Sequence, residues 1–110
     1  MPTNTYKVLG QVCPSATTAT TLYPVPSLTS AVVSTITVAN LGGSSATYRI
    51  SVRPAAASQT NAMYIAYDVT VGANDTTTLT VGLTLGATDV ITVYASSATV
   101  AFNAYGSEIA

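Results

Sequence analysis

The stretch ATYRISVR, at residues 46–53, decides the fold class of this chain. Its apolar and polar side chains alternate with a period of two, which is typical of a β-strand that buries one face and exposes the other. The predicted apolar face comprises Tyr48, Ile50 and Val52, and the polar face Arg49, Ser51 and Arg53. A half-buried strand is therefore expected here.

The same alternation continues on both sides of this strand. Threonine, valine, isoleucine and tyrosine, whose branched or aromatic side chains suit a pleated sheet, recur along almost the whole sequence. The clearest neighbour is the segment 63–71, for which a second strand is predicted. One face of this second strand holds Met63, Ile65, Tyr67, Val69 and Val71. Six further segments show the same alternation and are also predicted strands: 6–12, 18–25, 31–39, 76–81, 90–95 and 98–104.

Turn-forming residues separate these segments. Glycine, asparagine, aspartate and serine cluster at 40–45, 72–75, 86–89 and 96–97. No stretch has a helical period, and parallel strands would need helical crossovers, so antiparallel sheets are expected. About eight short strands predict a single all-β domain over 1–110, an antiparallel β-sandwich with a jelly-roll or immunoglobulin-like Greek key topology. The sequence does not choose between these two topologies.

Charge is scarce along the whole chain. Only 6% of the 110 residues are charged and none is histidine, whereas about one quarter of a typical globular domain is charged. Acid–base catalysis needs ionisable side chains within mutual reach, so we expect no enzymatic activity. The net charge of −1 offers no basic surface to nucleic acid. Neither a secretory leader nor an apolar run of membrane-spanning length is found, so no membrane partner is predicted.

The few reactive side chains fit structural roles, and no metal or cofactor is predicted. Cys13 has no second cysteine or histidine to form a zinc site, and we expect it to be a small apolar packing residue. Asp75 and Asp89 are predicted turn formers, and Asp68 a paired or solvated carboxylate. A catalytic carboxylate pair of Asp68 and Glu108 is disfavoured, because neither lies in a recognisable catalytic context.

Arg49 and Arg53 are the main candidates for contact with a partner. They share a strand face and lie about 13 Å apart at roughly 3.3 Å per residue. A guanidinium group can bind a carboxylate through two parallel hydrogen bonds. We therefore predict that they anchor carboxylates of a neighbouring subunit. The alternative is a solvated outer face with Asp68 opposite on a paired strand.

The aromatic side chains divide into two groups. Those that align with apolar strand faces, Tyr48, Tyr67 and Phe102, are predicted core residues. The others are predicted interface anchors, because tyrosine is amphipathic and enriched at interfaces; stacking on a glycan is the alternative. The predicted anchors are Tyr6, Tyr64 and Tyr105.

Several motifs spread over nearly the whole chain resemble a known family. They are TLYPVP (21–26), AVVSTITVAN (31–40), TYRISV (47–52), YIAYD (64–68), ANDT (73–76) and FNAYGSEI (102–109). Together they resemble small virion proteins of tailed bacteriophages, notably those that infect cyanobacteria. The motifs largely encode strands and turns, and the resemblance supplies no catalytic residues.

The resemblance implies a structural protein of the phage particle. We expect a decoration, or cement, protein on the head surface, with the major capsid protein or other virion subunits as partners and homo-oligomers as its form. Apolar and hydroxyl-rich surfaces suit such a role, because they can be buried without the penalty of unpaired charge. The alternative is a tail, fibre or baseplate module that binds host surface glycan through exposed tyrosines. A hydrolase is the least favoured alternative.

Overall fold

A computed structural model describes residues 3–110, which form eight β-strands. Two single 3₁₀ turns, Pro54–Ala56 and Asn61–Met63, lie between the fourth and fifth strands, and within this part of the chain no helix is long and apolar enough to cross a membrane. The strands are β1 (Asn4–Val12), β2 (Thr20–Pro24), β3 (Ser30–Asn40), β4 (Ala46–Arg53), β5 (Tyr64–Val71), β6 (Thr76–Leu85), β7 (Val90–Ala95) and β8 (Val100–Ile109).

All eight strands were expected, but two are longer than the sequence suggested. β6 continues four residues past the predicted end at 81, and β8 continues five past 104. Both extensions include a glycine, Gly82 and Gly106, each at a point where the pairing register shifts. In a sequence, a glycine usually indicates the end of a strand. A glycine can also accommodate a bulge inside a strand that continues, as it does here.

The strands form two four-stranded antiparallel sheets. Sheet A has the order β1-β8-β3-β6, and sheet B the order β2-β7-β4-β5. Only the β4–β5 connection stays within one sheet, and every other connection crosses between them. The predicted all-β class and antiparallel pairing are therefore confirmed.

The core lies between the two sheets and receives side chains from both. Tyr48 of β4 meets Phe102 of β8 edge to face, with ring centroids 6.1 Å apart. Around them, Ile36, Ile50 and Ile91 have no exposed surface. Burial of such side chains stabilises the fold by about 1.5–3 kcal/mol each. The prediction that Tyr48 and Phe102 are core residues is confirmed.

Tyr67 was predicted in the core, and that prediction is wrong. Its side chain is 55% exposed, because β5 contains a bulge. Ile50 pairs with Ala66 while Tyr48 pairs with Val69, so Tyr67 and Asp68 together lie opposite one residue of β4. Asp68 has a φ of 50°, a left-handed conformation that a regular strand does not use. The bulge reverses the alternation and turns Tyr67 outward.

Cys13 was expected to pack as an apolar residue, and it is instead exposed. β1 ends at Val12, so Cys13 lies in the link to β2, where strand alternation no longer assigns it a face. Its Sγ lies 3.3 Å from the carbonyl oxygen of Ala98. Its neighbour Pro14 is the buried residue of this link.

Asn40, only 2% exposed, joins two loops at one end of the strands. Its Nδ2 donates to the carbonyl oxygens of Ser44, at 2.8 Å, and Val71, at 3.4 Å. Its Oδ1 accepts from the Gly42 backbone N–H at 3.0 Å and from the Thr99 hydroxyl at 2.9 Å. One amide side chain thus uses all its groups to hold the β3–β4 loop against β5 and the start of β8.

Candidate interaction surface on sheet B

The outer face of sheet B contains a groove of about 230 Å³ that the sequence only partly anticipated. β4 directs its polar side chains outward here, and β7 lies beside it with Arg49 opposite Tyr94 and Ser51 opposite Thr92. The loop after β4 closes one side. We call this the arginine groove, and its principal side chains are Arg49, Ser51, Arg53, Gln59, Tyr64 and Tyr94.

Arg49 contacts one carboxylate and two aromatic rings of this chain, and its side chain is 25% exposed. Its Nε donates to Asp68 Oδ1 at 2.7 Å and its Nη2 to Oδ2 at 3.3 Å. The guanidinium carbon lies 4.2 Å from the ring centroid of Tyr67 and 4.4 Å from that of Tyr94, which is cation–π geometry. The bulge in β5 makes this possible, because it puts Tyr67 and Asp68 side by side opposite Arg49.

This arrangement defines the electrostatic role of Arg49. The hydrogen bonds that Arg49 donates to Asp68 are the main reason that the pKa of Arg49 is raised above its ordinary value. Asp68 was predicted to be either paired or solvated, and the structure shows it paired: its carboxylate, on β5, binds Arg49 of the neighbouring β4. Because Asp68 already neutralises Arg49, the positive charge of the groove comes from Arg53.

Arg53 has no carboxylate within ion-pair distance among residues 3–110. Its Nε donates to the Thr92 hydroxyl at 3.0 Å and its Nη1 to the Ala57 carbonyl oxygen at 3.2 Å. A guanidinium has five N–H donors. These two bonds fix the half-buried side chain and leave further donors able to bind an anion.

The loop 54–61 supplies the polar rim of the groove. The buried Ser51 donates its hydroxyl to Gln59 Oε1 at 2.6 Å, and Gln59 Nε2 donates to the Thr60 carbonyl oxygen at 2.9 Å. The Ala55 backbone N–H donates to Asp89 Oδ1 at 2.9 Å. A segment that looks featureless in the sequence is thus tied down on the face of sheet B.

Tyr64 completes the aromatic part of the surface. Its ring packs edge to face on that of Tyr67, with centroids 4.8 Å apart, and the side chain is half-buried. Together with Tyr94, these rings give the groove aromatic faces beside hydroxyl, amide and guanidinium donors. Such a mixture is typical of surfaces that bind other proteins or sugars.

The five predicted interface residues do not form one surface. Arg49, Arg53 and Tyr64 lie at the arginine groove, whereas Tyr6 and Tyr105 lie on sheet A beside a shallow depression of about 430 Å³. Tyr6 is 83% exposed. Strand order separates the two sets, because β1 and β8 belong to one layer and β4 and β5 to the other.

On sheet A, Glu108 forms the second ion pair. Lys7 Nζ lies 3.3 Å from its Oε1, and the buried Tyr23 donates its hydroxyl to Oε2 at 2.5 Å. The bond from Tyr23, with help from Lys7, lowers the pKa of Glu108, while partial burial opposes this. Burial and the same bond raise the pKa of Tyr23 well above its ordinary value of 10.0.

The four carboxylates take part in ion pairs or in turn hydrogen bonds. Asp68 lies on β5 of sheet B and Glu108 on β8 of sheet A, and each is bound to a cation, so they do not face one site. Asp75 and Asp89 accept backbone N–H bonds in turns, as predicted. Over residues 3–110, no three histidine, cysteine, aspartate or glutamate side chains come together as a metal-binding group.

Two groove residues, Gln59 and Tyr94, were missed from the sequence. Tyr94 alternates with the buried Val93 and Ala95, so its outward position could have been inferred from β7 alone. Its place beside Arg49 depends on the pairing of β7 with β4, which no local pattern reveals.

Comparisons with protein-family models, curated proteins and solved structures found no match.

Proposed function

We propose that this chain is a structural protein of a tailed-phage particle, attached to the head shell as a decoration, or cement, protein and folded as a jelly roll. The strand pairing supports the topology. Strands pair from the chain ends inward, β1 with β8, β2 with β7, β3 with β6 and β4 with β5. This is the winding of an eight-stranded jelly roll, an architecture found in viral capsid and lectin domains.

The immunoglobulin-like alternative fits the strand order less well. In that fold the first two strands lie side by side in the same sheet. Here β1 belongs to sheet A and β2 to sheet B. The jelly roll is therefore the topology that we adopt.

The single observation that carries the functional proposal is the way charge is used. Six of the seven charged side chains are bound to a carboxylate, a cation or a backbone N–H of this chain. Among residues 3–110, Arg53 is the one cation without a carboxylate partner, while Asp75 and Asp89 bind backbone N–H groups and no cation. The rest of the surface presents threonine, tyrosine and apolar side chains, including Leu28 at 93% exposed and Leu41 at 70%. Such a surface can be buried against other subunits with little desolvation cost.

The arginine groove supplies the attachment point in this proposal. Arg53 offers its remaining N–H donors to a carboxylate of the major capsid protein or another virion subunit. Tyr64 and Tyr94 flank it with aromatic surface. Arginine and tyrosine at the centre of a contact are the residue types that most often dominate binding energy. Arg49 supports the groove by fixing the rings of Tyr67 and Tyr94.

The test uses heads assembled without this protein and then incubated with the purified chain. Arg53→Gln should keep the fold by circular dichroism and reduce the affinity for heads by about tenfold or more, measured as occupancy below saturation, because an interfacial charge pair contributes over about 1.4 kcal/mol. Lys7→Gln, on sheet A, is the matched control and should bind as wild type. Equal occupancy of wild type and Arg53→Gln across a salt series would contradict the proposal.

A second candidate function is a tail, fibre or baseplate module that binds a host glycan. The aromatic rings of the groove, beside Gln59 and Arg53, are the observation that favours it, since sugars stack on such rings and bond to such donors. Two measurements separate the candidates. Densitometry of purified virions should give many more copies for a head protein than for a tail module, and a glycan array should give no binder for a head protein.

A further inference from the structure

The four edge strands of the two sheets are not equally protected against pairing with another chain. β2 is five residues long and contains Pro24, and β5 carries a charge and a bulge at Asp68. β1 carries Lys7 and a register shift between Val8 and Gly10. Short length, proline, charge and bulges are the usual devices that block edge-to-edge pairing.

β6, the other edge strand of sheet A, lacks such devices in its first half. The segment TTTLT at 76–80 contains no charge and no proline. The bulge of this strand comes only afterwards, since Thr35 pairs with Thr80 but Val33 with Leu83, and Gly82 there has a φ of 59°. Residues 76–80 are therefore a regular, uncharged edge with a defined end.

The hydrogen-bond pattern between β3 and β6 shows which backbone N–H and C=O groups of β6 point away from the sheet. The Asn40 N–H donates to the Asp75 carbonyl oxygen at 2.9 Å, so odd-numbered residues of β6 point their backbone groups at β3. Thr76, Thr78 and Thr80 consequently point theirs away from the sheet. Asp75 Oδ1 already accepts the Thr76 N–H at 2.8 Å. The N–H groups of Thr78 and Thr80 are left for another strand.

We propose that residues 76–80 of β6 pair antiparallel with the same segment of a second copy, joining two A sheets into one eight-stranded sheet across a two-fold axis. An uncharged segment pairs with itself without like-charge repulsion, and cross-strand threonine pairs are favourable. The contact is isologous and therefore closes at a dimer. The bulge after Thr80 limits pairing to this segment.

The test is the mass of the purified chain over a concentration series, by light scattering and analytical ultracentrifugation. The wild-type chain should approach twice 11.1 kDa as concentration rises. Thr78→Pro should stay at 11.1 kDa and remain folded, since the Thr78 N–H is not used by β3 and proline is tolerated at such edge positions. A wild-type chain still monomeric at about 1 mM would overturn the proposal.

Two further measurements tie the dimer to this edge. Thr78→Lys places like charges opposite each other and should also be monomeric, whereas Thr70→Lys, on the edge strand of sheet B, should dimerise as wild type. Amide exchange at Thr78 and Thr80 should slow as the dimer forms. A dimer that survives both Thr78 substitutions, or one in which these amides exchange as fast as in the monomer, would refute pairing through β6. None of these readouts depends on phage attachment.

Discussion

Replacement of Asn40 by alanine is the sharpest test of how the loops are held. The substitution removes three hydrogen bonds of 2.8–3.0 Å and a longer one to the Val71 carbonyl oxygen. At about 1 kcal/mol for each normal bond, the loss is about 3 kcal/mol. Water can reach the Gly42 and Ser44 groups and offset part of it, while the buried Val71 carbonyl adds to it. We expect the free energy of unfolding to fall by about 2–4 kcal/mol.

The assay is urea unfolding followed by circular dichroism, with thermal unfolding as a second measure. A loss of about 3 kcal/mol corresponds to a melting temperature lower by about 12–20 °C for a domain of this size. Asn61→Ala is the matched control, because Asn61 is exposed in the β4–β5 loop, and it should change stability by less than about 0.5 kcal/mol. If Asn40→Ala unfolds at the same urea concentration as Asn61→Ala, the buried amide does not hold the loops as argued.

Two other perturbations follow from the geometry of sheet A. The pKa of Glu108 is lowered in the folded state, so the ionised Glu108 stabilises the fold at pH values above its ordinary pKa of 4.5. This stabilisation is lost as the pH falls through the pKa of the folded state. Tyr23→Phe should therefore reduce the drop in urea midpoint between about pH 6 and about pH 3. Gly106→Ala puts a Cβ onto the Val32 carbonyl oxygen and should cost about 1–3 kcal/mol in urea unfolding, whereas Gly43→Ala, with open space around it, should not.

The strands could be predicted because their signal is local. Alternation in β4 places Tyr48 and Ile50 on the buried face without knowledge of any neighbour. The same holds for Phe102, whose burial follows from its position in β8. Binary alternation suffices wherever a strand is regular and one of its faces is covered.

The bulge in β5 could not be predicted from alternation, and the shape of the arginine groove depends on that bulge. Asp68 adopts a left-handed conformation, which aspartate tolerates better than most residues other than glycine, but one aspartate in an alternating segment does not predict a bulge. The conformation is held by contacts with Arg49, 19 residues earlier in the chain. Arg53 likewise finds Thr92 at a separation of 39 residues. Long-range strand pairing creates the groove, so the sequence could supply its arginines but not their neighbours.

The two proposed surfaces are compatible, and symmetry relates them. An antiparallel pair of strands within one continuous sheet has its two-fold axis normal to that sheet. Both copies of sheet B would then lie on the same side of the joined A sheets. Two arginine grooves would face the same direction, and a shell surface could engage both at once. Because the second contact of such a pair is intramolecular, weak binding at each Arg53 is enough for firm attachment.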